Sequence, residues 1–288
     1  LQVLDGFDDA GAPRLRPPRR AITLRRLLTH TAGFAYPAFN EHLLRWQQHT
    51  GGAVPWQQCP LVFDPGERWE YGTGLRWVGR LVEHASGRSL EDYFRGRILD
   101  PLGLADTSFV PGPDQRVRLA SPHQRLSDGS LRAVEATIPG RSAELSTAQC
   151  FSTGPDYLRF LRMLLGGGQL DGARLLQPET VTEMARNQIG ELTVGALRSL
   201  EPNRSNDVEF FPGMVKKWGL GGLINTERAP TGRSANSWAW AGVNNTYFWV
   251  DPTRRVAGVL LTQLLPFCDP AVLDLFARFE HAVYASRG

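Results

Sequence analysis

Through residues 1–195 apolar positions recur mostly at helical spacing, and through 196–288 they gather in short runs between turn residues. In "ITLRRLLTHTAGF", Leu24, Leu27 and Leu28 share one face behind Thr23, which predicts a short capped helix closed by Gly33. "LRWVGRLVEHASG" reads as an amphipathic helix ended by Gly87. "SLEDYFRGRIL" reads as another, with Ser89 and Asp92 as a capping box and Pro101 as its stop. "GPDYLRFLRMLLGGG" carries Pro155 in its first turn and a stripe of Leu158, Leu161 and Leu165. "QPETVTEMARNQ" repeats that design.

The period then shortens. "KWGLGGLIN", "SWAWAG", "NTYFWVDP" and "RVAGVLLTQ" are aromatic or β-branched runs, with "DPTRR" as a tight connection, and together they predict an antiparallel meander. "DPAVLDLFARFEHAVYA" closes the chain as a helix capped by Asp269, with Val272, Phe276, Phe279 and Val283 on one face. The resulting organisation is α+β: a mainly helical subdomain with long loops over 1–195, then an antiparallel sheet and covering helix over 196–288.

Composition adds little to this picture. The 288 residues are 42% hydrophobic and 21% charged, with a formal net charge of +3. No basic tract with interleaved aromatics is present, which argues against nucleic acid as a partner. No apolar run reaches the roughly 20 residues of a membrane-spanning helix. Cys59, Cys150 and Cys268 are scattered and odd in number, fitting a reducing, cytoplasmic setting better than a disulfide framework.

The chemistry is first narrowed by exclusion. There is no G-x-S-x-G elbow, no H-E-x-x-H and no G-x-x-x-x-G-K-[ST], and the six histidines do not cluster at ligand spacing, so each reads as a structural or surface residue. Two aromatic stretches remain. In "WEYGTG", Tyr71 is either a half-buried packing residue or a general base. The second role requires positive charge or hydrogen bonds that favour its phenolate. In "SWAWAGVNNTYFWVDP", Ala241 and Gly242 either pack closely or leave a strand backbone open to substrate, with an amide available to an oxyanion.

Taken in order, these stretches resemble the serine β-lactamase and penicillin-binding-protein-like superfamily, and within it the family VIII carboxylesterases of the methyl acetate hydrolase or diacrylate esterase type. The likeness is carried by "TLRRLLTHTAGF", by "PGERWEYGTG" through "PLGLADTSF", by "LLGGGQLDGARLLQPETVTEM" and "WGLGG", and by "WAWAGVNNTYFWVDP". It implies a β-lactamase-like α+β fold and a serine hydrolase acting on a small-molecule ester through an acyl-enzyme, with no metal or organic cofactor. Tyr71 then corresponds to the motif tyrosine that moves protons. Trp240, Ala241 and Gly242 stand in the third motif, and the Val243 amide is one oxyanion donor. Thr73 replaces the Asn of Y-x-N, and W-A-G replaces K-T-G, which tilts the expected substrate from β-lactams towards simple esters.

One departure stands out. The family nucleophile is the Ser of S-x-x-K, whose Lys reaches the hydroxyl because i and i+3 share a helix face. Here the only lysines are Lys216 and Lys217, and Gly213 and Met214 stand three residues before them. The motif is absent from these residues. The expectation is an N-terminally truncated enzyme whose Ser and Lys lie upstream of Leu1, and a chain that is inactive by itself. A shortened, non-catalytic homologue is the competing account, and acyl transfer to an alcohol or amine would use the same residues.

Overall fold

The computed structural model describes residues 1–52, 54–136 and 149–286. The aromatic and β-branched runs form five strands, Lys216–Trp218, Leu223–Asn225, Trp238–Gly242, Thr246–Asp251 and Val256–Leu260, paired antiparallel in sequential order. This is the expected meander. Alternation along the strands sends successive side chains to opposite faces. Trp238 and Val250 pack with Leu161, Met163 and Leu164 of the helix Gly154–Leu165. Tyr247 and Trp249 face the final helix, Pro270–Ala285, with ring centroids 4.9 and 5.7 Å from Phe276. Gly258 pairs with Trp249 across the ladder, and a Cβ there would run into the indole, so the close approach of that ring requires glycine.

Helix caps follow local chemistry. Thr23 accepts from the Arg26 amide at 3.3 Å and Ser89 from the Asp92 amide at 3.1 Å, while Asp269 accepts from Ala271 and Val272. Gly87 closes Gly74–Ser86 with φ 67°, the left-handed cap that glycine adopts without strain.

Three details differ from expectation. The first helix is only Leu24–Leu28 and ends at Thr29, well before Gly33. The helix Leu90–Phe94 runs on through a π-type turn, Arg95–Leu99, into Asp100–Leu102. Pro101 therefore lies within the last turn of this continuous helical stretch and does not stop it, and Gly103 at φ 65° makes the stop. Leu158 is 37% exposed, whereas Leu161, Met163 and Leu164 are buried, so the packed stripe is rotated from the one its spacing suggests.

The helical region is tied to the sheet at the place that matters for chemistry. The buried Trp218 donates its indole N–H to the Leu28 carbonyl at 3.2 Å, fixing the end of Leu24–Leu28 against the first strand of the meander. The hairpin Val3–Phe7 and Pro13–Arg16 straps the "FDPGE" turn, where Arg16 donates to the buried Asp64 carboxylate at 2.7 and 3.1 Å.

Candidate active site

Where Leu24–Leu28 ends, the chain reverses through His30, whose φ of 55° lies in the left-handed region. That reversal turns both the carbonyl and the ring of His30 toward the Tyr71 loop. The Glu70 amide donates to the His30 carbonyl at 2.9 Å, and the Gly72 amide donates to His30 Nδ1 at 3.4 Å. Tyr71 is thus held by its two chain neighbours. A Cβ on Gly72 would collide with the Phe34 carbonyl and the Ala35 backbone, so only glycine lets the loop lie this close. Thr73, next in line, is buried at 6% exposure as the N-cap of Gly74–Ser86, with no side-chain capping bond.

The Tyr71 ring sits among three others, with centroids 4.8 Å from His30, 5.2 Å from Tyr36 and 5.0 Å from Trp240. Trp240 in turn crosses Trp218 at 4.6 Å. Burial in this aromatic nest pushes the Tyr71 phenol up from its ordinary value, with Tyr36 adding to the rise. The Trp240 indole as a hydrogen-bond donor, and the Arg76 charge, pull it down by less. Tyr71 is therefore a neutral phenol at neutral pH, suited to relaying a proton. A standing tyrosinate base would need more positive charge than its described neighbours supply.

His30 is pushed down to about 3 by the same desolvation. Its imidazole stays neutral in the fold while the unfolded chain takes a proton near 6.5. The sign follows: His30 contributes stability fully above pH 6.5 and loses it as pH falls toward 3. Urea denaturation at pH 7 and pH 4.5 should show a smaller acid loss for His30→Asn than for the parent. Equal losses would remove His30 from the acid response.

The strand Trp238–Gly242 brings Trp240 to Tyr71, although the two are far apart in the chain. Ala241 packs against the core cluster on this side of the sheet. A Cβ at Gly242 would meet the Thr246 hydroxyl, which gives the packing reading of this glycine a local basis. Val243 follows at the turn, 43% exposed. His30, Tyr36 and Arg76 are the site neighbours that sequence reading missed. Their only signal was the His-Thr-Ala-Gly reversal after a short helix, which has no period.

A separate apolar cavity of about 400 Å³ lies beyond Trp240, walled by Phe210, Leu223, Ala239, Trp240, Tyr247 and Phe276. Tyr71 does not line it. Trp240 is the partition between the cavity and the tyrosine. Among the described residues no three His, Cys, Asp or Glu side chains converge as a metal site.

Comparison with known proteins places this geometry among its relatives. The Beta-lactamase family profile matches residues 11–282. A monacolin J acid methylbutanoyltransferase of Aspergillus terreus is 34% identical, over 99% of this chain and 72% of the relative. A lovastatin esterase of Penicillium rubens is 31% identical, over 98% of this chain and 74% of the relative. Unliganded simvastatin synthase (LovD) from Aspergillus terreus superposes with a TM-score of 0.81 at 32% identity, covering 99% of this chain and 73% of that structure. These relatives are an esterase and acyltransferases, not specifically the family VIII esterases that the motifs suggested.

Proposed function

The chain belongs to the beta-lactamase family, with its α+β fold, and on that premise we propose that its residues form the acid/base and oxyanion part of a serine acyl-transfer site. The reaction passes an acyl group from an ester-type donor through an acyl-serine to an acceptor hydroxyl or to water. Tyr71 relays the proton between the attacking hydroxyl and the departing one, and the Val243 amide faces the developing oxyanion. Trp240 stands where related enzymes carry the third-motif Lys, and supplies an apolar wall and a single indole donor. The observation that carries this reading is the seating of Tyr71, pinned on both sides by His30 and clasped between Tyr36 and Trp240.

Transfer to an organic alcohol is favoured over hydrolysis for two reasons. The half-buried phenol has rings on three sides, and a 34% identical relative is named as an acyltransferase. Hydrolysis is the second reading, supported by the 31% identical esterase.

The test has two arms. Protein that carries these residues together with an S-x-x-K serine, given p-nitrophenyl butyrate and a small primary alcohol, should release p-nitrophenol and form the butyrate ester of the alcohol. Absence of both products would sink the acyl-transfer reading and leave a binding protein. The 288-residue chain by itself contains no S-x-x-K, and a fluorophosphonate probe is expected to leave it blank. A labelled serine in this chain would overturn the reading of these residues as the acid/base and oxyanion part alone.

A further inference from the structure

Three other arginines withdrawn from the surface each have a carboxylate against them. Arg16 meets Asp64, Arg125 meets Asp269, and the 2%-exposed Arg233 meets Glu280. Arg76, half-buried in the first turn of Gly74–Ser86, has no carboxylate within ion-pair distance among the described residues. Its guanidinium carbon lies 5.9 Å from the Tyr36 ring centroid and 5.8 Å from that of Trp56. Its Nε is buried with no hydrogen-bond partner, as are the indole nitrogens of Trp56 and Trp77, whose rings meet at 5.1 Å. Three unpaired N–H donors, one of them cationic, therefore share one neighbourhood next to the ring that touches Tyr71.

We propose that Arg76 is a carboxylate-recognition subsite beside Tyr71, taking an organic acid whose apolar body lies against Tyr36 and Trp56. The proposal rests on the acyl-transfer reading only for what the acid would be, namely the acceptor or the donor carried to Tyr71. A guanidinium whose Nε is withdrawn from water with neither a hydrogen-bond partner nor a counter-charge carries a cost, and aromatic faces recover only part of it. A carboxylate recovers the rest, because its two oxygens match the planar fork of donors. The rings around Arg76 select an anion with a hydrophobic body, whereas an inorganic phosphate gains nothing from them. Burial pushes the Tyr36 phenol up while Arg76 pulls against it, so Tyr36 stays a neutral hydroxyl able to donate to the same carboxylate.

The experiment reads binding without turnover, on this chain. Tryptophan fluorescence is titrated at fixed ionic strength with 4-phenylbutyrate, with its neutral amide 4-phenylbutyramide, and with inorganic phosphate. The acid should bind about tenfold more tightly than the amide, the size expected of one charge-assisted pair. Arg76→Met should abolish that preference while leaving amide binding unchanged, and Arg76→Lys should keep part of it. Phosphate at equal concentration should not displace the acid.

Equal binding of acid and amide, no binding of either, or an undiminished preference in Arg76→Met would overturn the subsite. Competition by phosphate would overturn the organic-acid assignment. Should Arg76→Met melt early, Arg76→Gln and Arg76→Lys carry the comparison. The two readings fail separately. An enzyme that transfers acyl groups yet binds acid and amide alike faults only the subsite, whereas acid preference in a protein with no turnover faults only the acyl-transfer reading.

Discussion

Tyr71→Phe in protein that carries these residues together with an S-x-x-K serine is expected to lower kcat/KM for p-nitrophenyl butyrate by about 10²–10⁴-fold, the usual contribution of a positioned proton-transfer group. The substitution deletes one oxygen. The contacts of the ring with His30, Tyr36 and Trp240 all persist, as do the backbone bonds that seat it. The melting temperature should therefore move by only a few degrees, since losing one hydrogen bond costs about 1 kcal/mol. Turnover unaffected by the change would remove Tyr71 from the reaction. A loss of turnover accompanied by a collapse in stability would indicate damage to the nest instead of the proton path, and melting curves separate the two.

Glu280→Ala carries the largest expected effect on stability. Glu280 is 1% exposed on the final helix and accepts from Arg233 at 2.7 and 2.6 Å and from the Thr231 hydroxyl at 2.7 Å. Arg233 is equally buried, its guanidinium 5.2 Å from the Phe211 ring and 5.9 Å from Trp249. Removing the carboxylate leaves an unpaired cation in that apolar setting, and breaking such a pair costs about 3–5 kcal/mol. The double change Glu280→Ala with Arg233→Met should recover most of the loss, because the stranded charge goes with its partner. Urea denaturation at pH 7 gives both values. A loss under about 1 kcal/mol for the single change would mean that water reaches Arg233.

The Arg233–Glu280 pair also shows where pattern reading stops. The final helix was legible: Asp269 caps it, Pro270 opens it, and Val272 and Phe276 pack where the spacing placed them. Glu280 lay on that helix as an ordinary charge, since nothing adjacent reveals that Arg233 comes to meet it. The meander was legible for the same reason as the helix, because a period of two is written into each strand separately. Tyr71 and Trp240 could be nominated from their motifs. That they touch, and that His30 and Tyr36 complete the nest, could not be read from either stretch alone. Gly242 could be read locally as packing or as substrate access, and only the folded hairpin brings the Thr246 hydroxyl to where its Cβ would lie.

The order of elements, the caps that bound most of them and the family motifs around Tyr71 and Trp240 are properties of short stretches, and the sequence by itself determined those. The tertiary structure decided which arginines meet a carboxylate, and that the half-buried Arg76 meets none among the described residues. It also decided that Tyr71 is a neutral phenol among three rings, held by a left-handed histidine. Periodicity records which side of an element is buried. Ionisation and pairing depend on what arrives from distant parts of the chain, and only the folded packing brings those groups within reach.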